Sequence, residues 1–287
     1  MKKAEIGIIG GSGFYNMEGL EDVEEVAIKT PFGEPSAPIL LGSLDGRRLA
    51  FLARHGKGHK YLPTEVPFRA NIYAMKVLGV ERIISVSAVG SLKEEIKPLD
   101  MVLPDYFFDL TKKREATFFG NGIAAHVSFS HPICPVMQDA IYRAAEEESI
   151  SVRRGGTYVC IEGPQFSTKA ESEFYRKMGF DVIGMTNATE AKLAREAEIC
   201  YVTLAMVTDY DCWHEEEEEV SVELVVENLN RNIESAKKVI RRALKLIPED
   251  RKGCQCATAL KNAIITAKEV IPEETREKLR PIIGRYL

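Results

Sequence analysis

Asp209 and Asp211 flank one tyrosine at the end of an apolar run, followed by Trp213, the only tryptophan, and five consecutive glutamates. Such carboxylates could bind a metal, work as an acid/base pair, read a substrate, or form a solvated acidic face. A hydrolytic metal site would want histidine ligands, and His214 is the only histidine nearby, so no metal is expected here. Paired glycosidase carboxylates must flank a sugar from opposite sides, which this close spacing does not suit. Two aspartates can instead read a heterocycle, one holding a proton for a ring nitrogen and the other accepting from an exocyclic amine. If both lie on the strand, two-residue spacing turns them the same way. The glutamates read as a solvated approach to a helix.

A second set of residues suits an anion. Gly10, Gly11, Ser12 and Gly13 form a glycine loop, but Asn16 stands where a dinucleotide fingerprint needs its third glycine, and no GK[ST] ending follows. What remains is a loop whose amides and Ser12 can wrap a small anion such as phosphate, with a plain tight turn as the alternative. Arg54 and His55 end an apolar strand, where a buried charge needs an anionic partner. Arginine offers a planar fork for phosphate oxygens, and His55 can donate or stay neutral. Ser87 and Thr186 close two further strand ends and complete a convergent donor set.

The elements that must position these residues follow from periodicity. Apolar runs at 5–10, 48–54, 82–91, 100–108, 157–163, 181–186 and 200–210 read as strands, several without alternation and so covered on both faces. Helical patterns lie between them at 64–79, 131–149, 168–179 and 189–198, and a long helix is expected from Ser221 to Leu246. Strand–helix alternation predicts an α/β fold with a central sheet parallel in its middle. Ligands of such sheets sit beyond the carboxyl ends of the strands, where all the candidates above lie. With no repeat or linker, one domain over 1–287 is expected, with a helical extension at 249–287.

A net charge of −5 argues against a nucleic-acid surface, and no apolar stretch reaches the roughly 18 residues of a membrane span. The start, MKKAEIGIIGGSG, breaks off before a signal-peptide core develops, so a cytoplasmic protein is expected. Six cysteines read either as buried free thiols or as disulfides of an intracellular thermophile protein. The pair CQC at 254–256 lacks the spacer of a zinc knuckle, and no second pair lies nearby in the chain, so zinc is not expected.

The motifs GIIGGSGFY, ARHGKGH, SAVGSLKEEIKPLD, TKKREATFF, GTYVCIEGPQFST, GMTN, EAKLAREAEICY and MVTDYDCW together resemble the methylthioadenosine phosphorylases of the purine nucleoside phosphorylase family, over nearly the whole chain to about Leu246. The resemblance implies a phosphorylase fold with a twisted mixed sheet, a homotrimer or dimer of trimers, and cleavage of methylthioadenosine by phosphate as co-substrate, without a cofactor. It places phosphate against Ser12, Arg54, His55, Ser87, Ala88 and Thr186, ribose near Met185, and the base near Phe166 and Ser167. It gives Asp209 to N7 and Asp211 to the 6-amino group, Val222 and Val225 to the methylthio group, and His126 of a neighbouring subunit to the pocket's closure. CQC resembles the disulfide-forming tail of heat-adapted archaeal members. The chain departs from the family at Pro67 and Phe68, where Asn-Tyr is common, and at TNATE, which replaces the usual valine-proline after the threonine and asparagine.

Overall fold

A computed structural model describes residues 4–214 and 222–287, apart from the side chains of Ser12, Val222, Glu223 and Leu224. In chain order the elements are β1 (Ile6–Gly10), β2 (Glu21–Val26), β3 (Ile39–Leu44), β4 (Arg47–Ala53), α1 (Phe68–Val77), β5 (Arg82–Ser91), β6 (Met101–Leu103) and β7 (Tyr106–Asp109). They continue with α2 (Pro135–Glu147), β8 (Val152–Arg154), β9 (Thr157–Cys160), α3 (Lys169–Lys177), β10 (Val182–Gly184), α4 (Asn187–Glu196), β11 (Cys200–Asp209), α5 (Val222–Leu246) and α6 (Glu273–Ile283). Short 3-10 turns follow β1 and β11.

The strands form one mixed sheet in the order β2-β3-β4-β1-β5-β10-β9-β7, with β11, β6 and β8 branching from β5. Its centre is parallel, as the unbroken apolar runs predict: β1 pairs with β4 and β5, and β5 with β11. β11 is buried along its whole length, and in β5 only Ala88 is less than fully buried.

β5 changes partners along its length. Its first residues, Arg82 to Ser85, pair in parallel with β1, whereas Gly90 and Ser91 pair antiparallel with β10. The carboxyl ends of β1 and β10 therefore run toward each other and stop short at the stretch carrying Ser87 and Ala88. This is the crevice where strand direction reverses, the position at which open α/β sheets take their ligands.

The run 100–108 divides into β6 and β7 at Pro104. Three strands were not expected: β2, whose residues are mostly acidic and exposed, β3, and the three-residue β8. The segment after Thr186 is the first turn of α4, so this helix starts two residues before the expected 189. The expected N-cap Ser221 and the five glutamates lie outside the described residues. Among the described residues no helix is long and apolar enough to cross a membrane.

Candidate functional site

The anion half is built on a buried ion pair. Arg54 follows β4 and its backbone N–H donates to Gly10 O at 2.9 Å, binding it to the glycine loop. Its Nε and Nη2 donate to the two carboxylate oxygens of Glu190 at 2.5 and 3.1 Å, and Nη2 also reaches Ser85 Oγ at 2.7 Å. Nη1 donates to Val86 O at 2.9 Å. Burial disfavours the Arg54 charge, but Glu190 outweighs it and raises the pKa. The fork that sequence alone offers to phosphate is occupied by a protein carboxylate, leaving one hydrogen on Nη1. Glu190 was not foreseen, because in the charged stretch TEAKLAREAE it reads as an exposed helical residue.

Below this pair Asn187 is a hub. Its Nδ2 donates to Ser85 Oγ, Tyr201 Oη and Thr203 Oγ1 at 2.9 to 3.1 Å, and its Oδ1 accepts from Tyr158 and Thr186. Tyr158 Oη also interacts with Ser87 and Thr186. Arg54, Ser87 and Thr186, read from three separate strand ends, are thus gathered at the crevice. His55 adjoins them: its Nδ1 lies 2.8 Å from Tyr61 O and its ring stacks on His59. Burial and the neighbouring Arg54 charge push His55 down to about 4. The ring is neutral at pH 7; Nδ1 donates to the carbonyl and Nε2 is left as an acceptor.

The second half lies at the end of β11. A bulge at Thr208 shifts the register so that Asp209, rather than Thr208, stands opposite Gly90. A Cβ on Gly90 would come within 2.9 Å of Asp209 Oδ1 and 3.0 Å of Ile183, so the aspartate's position depends on that glycine. Thr208 Oγ1 donates to Asp209 Oδ2 at 2.7 Å, and the Asp211 N–H donates to Oδ1 at 3.0 Å. Burial raises the Asp209 pKa to about 6; the Thr208 bond offsets part of this and the Asp211 charge adds to it.

Asp211 is not on the strand. It opens the 3-10 turn with φ +23°, so the turn, and not strand alternation, brings the two aspartates together. Trp213 anchors that turn: its Nε1 donates to Ser91 O at 2.7 Å, and Arg176 of α3 lies 3.5 Å above its ring. Burial raises the Asp211 pKa, and the hydroxyls of Ser172 and Ser167 partly offset it. Asp211 Oδ2 and both hydroxyl oxygens are buried together, the hydroxyls facing the carboxylate without a well-aligned hydrogen bond to it. Ser172 was missed by the sequence reading; it faces inward because the Thr168/Glu171 capping box fixes the start of α3.

The remaining candidates border this half. Phe166 is exposed and Met185 half-buried. Arg114 donates to Met185 O and Glu162 O while lying over the Phe68 ring, so Phe68 supports the Met185 turn through Arg114. Pro67 occupies the N-cap of α1, without a side-chain cap. Val225 is half-buried one turn before Asn228, whose amide donates to Thr208 O at 2.8 Å, which sets the start of α5 beside the end of β11. The side chains of Val222 and Ser12 lie outside the description. His126 is exposed, and its backbone is bonded to Ala263; no hydrogen bond or ion pair among the described residues joins its side chain to the site.

Residues 5–245 match the family model described as the phosphorylase superfamily. The S-methyl-5'-thioadenosine phosphorylase of Koribacter versatilis is 61% identical over 284 residues, covering 99% of this chain and 97% of its own. That of Geobacter sulfurreducens is 56% identical, covering 98% and 99%. Among solved structures, a methylthioadenosine phosphorylase from an antarctic soil metagenomic library superposes with a TM-score of 0.94 at 52% identity, covering 98% of this chain and 99% of its own. The methylthioadenosine phosphorylase of Schistosoma mansoni in complex with adenine gives 0.84 at 36% identity, covering 90% and 96%. A family model spanning most of the chain and full-length relatives above half identity lead to one conclusion: the chain belongs to the phosphorylase superfamily.

Proposed function

We propose that the chain cleaves the N-glycosidic bond of S-methyl-5'-thioadenosine with inorganic phosphate, releasing adenine and 5-methylthioribose 1-phosphate. The observation that carries this reading is the buried polar cluster formed by Asp211 Oδ2, Ser167 Oγ and Ser172 Oγ beside Asp209. Burial raises the Asp211 pKa and the two hydroxyls offset it only in part, so the cluster carries a desolvation cost that a polar heterocycle would relieve. A carboxylate accepts from a 6-amino group and repels a 6-carbonyl, which selects adenine over hypoxanthine.

In this reading the glycosidic bond breaks ahead of phosphate attack, and the sugar takes on oxocarbenium character. Phosphate in the crevice stabilises that cation. Its donors are the glycine-loop amides, Ser12, Ser87, Thr186, the amide of Ala88 and the remaining Arg54 hydrogen, while neutral His55 accepts from a protonated phosphate oxygen. Asp209 gives its proton to N7, so that adenine leaves neutral. Val225, together with Val222 as the resemblance assigns it, serves the 5' end in this reading, where burying a methylthio group contributes about 1 to 3 kcal/mol over a hydroxyl. The reading needs no cofactor, and it includes a homotrimer or dimer of trimers in which His126 closes a neighbouring subunit's pocket.

The test is an ultraviolet assay of methylthioadenosine, adenosine and inosine, each with and without phosphate. Turnover should require phosphate and fall in that order. Adenine release without phosphate would indicate a hydrolase, and a preference for inosine would reject the role given to Asp211.

A further inference from the structure

Four of the six cysteines, distant in the chain, meet in space. The Sγ atoms of Cys134, Cys200, Cys254 and Cys256 all lie within 4.8 Å of one another, with Cys200 and Cys254 3.5 Å apart. Three are buried and Cys254 is half-buried. A tetrahedral tetrathiolate site with metal–sulfur bonds of about 2.3 Å places its sulfurs roughly 3.8 Å apart, which small side-chain rotations would reach here. Spacing along the chain speaks against zinc, but folding brings the four sulfurs together.

The four side chains are positioned by contacts of their own. Cys134 is the N-cap of α2, and its backbone N–H donates to Tyr201 O at 2.9 Å, next to Cys200 at the start of β11. The turn bearing the other two is held by Arg82, whose Nη2 donates to the carbonyls of Pro248, Glu249 and Asp250 at 2.7 to 2.9 Å. Arg251 Nη1 ties the same turn to Glu81 O and Glu198 O at 3.2 and 2.8 Å.

Four thiolates around a divalent cation carry a net negative charge, and Arg82, Arg251 and Lys252 line the adjoining cavity of about 260 Å³ together with Cys134, Cys200 and Cys254. That cavity also gives an ion a route to the half-buried Cys254. Soft sulfur donors select zinc over magnesium or calcium.

We propose that Cys134, Cys200, Cys254 and Cys256 hold one zinc ion, clamping the C-terminal segment onto the start of β11 and the N-terminus of α2. Each ligating thiol gives its proton to solvent, so binding releases up to four protons and involves no oxidation.

The experiment uses the full chain purified in reductant without chelator. Elemental analysis should find about one zinc per chain after dialysis against zinc and then metal-free buffer. Cobalt(II) added to chelator-stripped protein should give the visible spectrum of a tetrahedral thiolate complex. Cys254→Ser and Cys256→Ser, each compared with Cys160→Ser as a control, should lose stoichiometric zinc while phosphate-dependent turnover persists at moderate temperature. Absence of both bound zinc and the cobalt spectrum in wild-type protein would overturn the proposal. So would recovery of two disulfides among these cysteines from protein kept anaerobic in reductant, or undiminished zinc in a Cys254→Ser/Cys256→Ser double variant.

Discussion

Asp209→Asn separates the proton of this side chain from its shape. Asn keeps an oxygen for the Asp211 N–H, and the Thr208 hydroxyl, now 2.7 Å from Oδ2, can turn to accept from the new amide. Only the transferable proton is lost. Burial holds the Asp209 carboxyl at about 6 against an ordinary 3.8. A carboxyl titrating there is protonated in about one molecule in ten at pH 7, whereas an ordinary aspartate manages fewer than about one in a thousand. The same displacement means that charging Asp209 in the fold costs about 3 kcal/mol. The sign follows: the folded pKa is raised, so the stability this group contributes is complete below pH 3.8 and lost as pH rises through about 6.

The kinetic consequence is a limb in the wild-type profile of kcat/KM for the nucleoside at saturating phosphate. It should be level just below about pH 6 and fall tenfold per pH unit above it, because kcat/KM reports the free enzyme. His55, held down to about 4, is neutral through this window and adds no limb. Asp209→Asn should lower kcat about 10² to 10⁴-fold at pH 6, abolish the limb and change KM little, as expected when acid catalysis is lost but binding is kept. A variant that retains the limb near 6, or turns over within a few fold of wild type at pH 6, would refute the assignment of the proton to Asp209.

Gly90→Ala should lower kcat while leaving phosphate binding nearly intact, since its Cβ would push into Asp209 Oδ1 and Ile183 but not toward Arg54; unchanged kcat would show that the aspartate tolerates displacement. Glu190→Gln leaves the Arg54 charge buried without its anion, which should cost about 3 to 5 kcal/mol of unfolding free energy in urea titration and raise KM for phosphate. An unchanged urea midpoint would mean that the pair contributes nothing to the fold. Glu196 is pushed up to about 7 by burial, despite accepting from Phe118 N and Thr117 Oγ1, so its stabilising contribution is present below the ordinary 4.5 and lost as pH rises through 7. Glu196→Gln should therefore narrow the fall in melting temperature between pH 5 and about 8 seen in the wild type, and parallel melting curves for both proteins would contradict it.

What could be read from the sequence was what burial writes into residue type. β5 and β11 are covered on both faces, so their apolar, β-branched runs mark them directly, and the polar residues at their ends stand out as candidates. β2 escapes because its residues EDVEEV lie at the sheet edge, mostly exposed, where nothing demands an apolar pattern. Asp211 does lie beside Asp209, but strand alternation does not bring it there: a bulge, a 3-10 turn and the Trp213 anchor do the positioning, and none of these has a two-residue period.

The crevice itself has no local signature, because it arises from pairings between segments far apart in the chain. β5 exchanges β1 for β10 over residues 86 to 89, and that exchange alone brings the glycine loop, Arg54, Ser87 and Thr186 to one place. Two facing strand ends create a concentration of backbone amides suited to an anion, and Glu190 holds Arg54 beneath it. With its fork engaged by Glu190, Arg54 offers one remaining hydrogen, so in the proposed function phosphate affinity comes mainly from amides and hydroxyls fixed by the sheet. The buried ion pair acts as a support that sets their spacing. The Glu190→Gln variant tests this division: its phosphate defect should accompany loss of stability, whereas Ser87→Ala, at a position the proposed function gives to phosphate, should lose phosphate affinity with the fold intact.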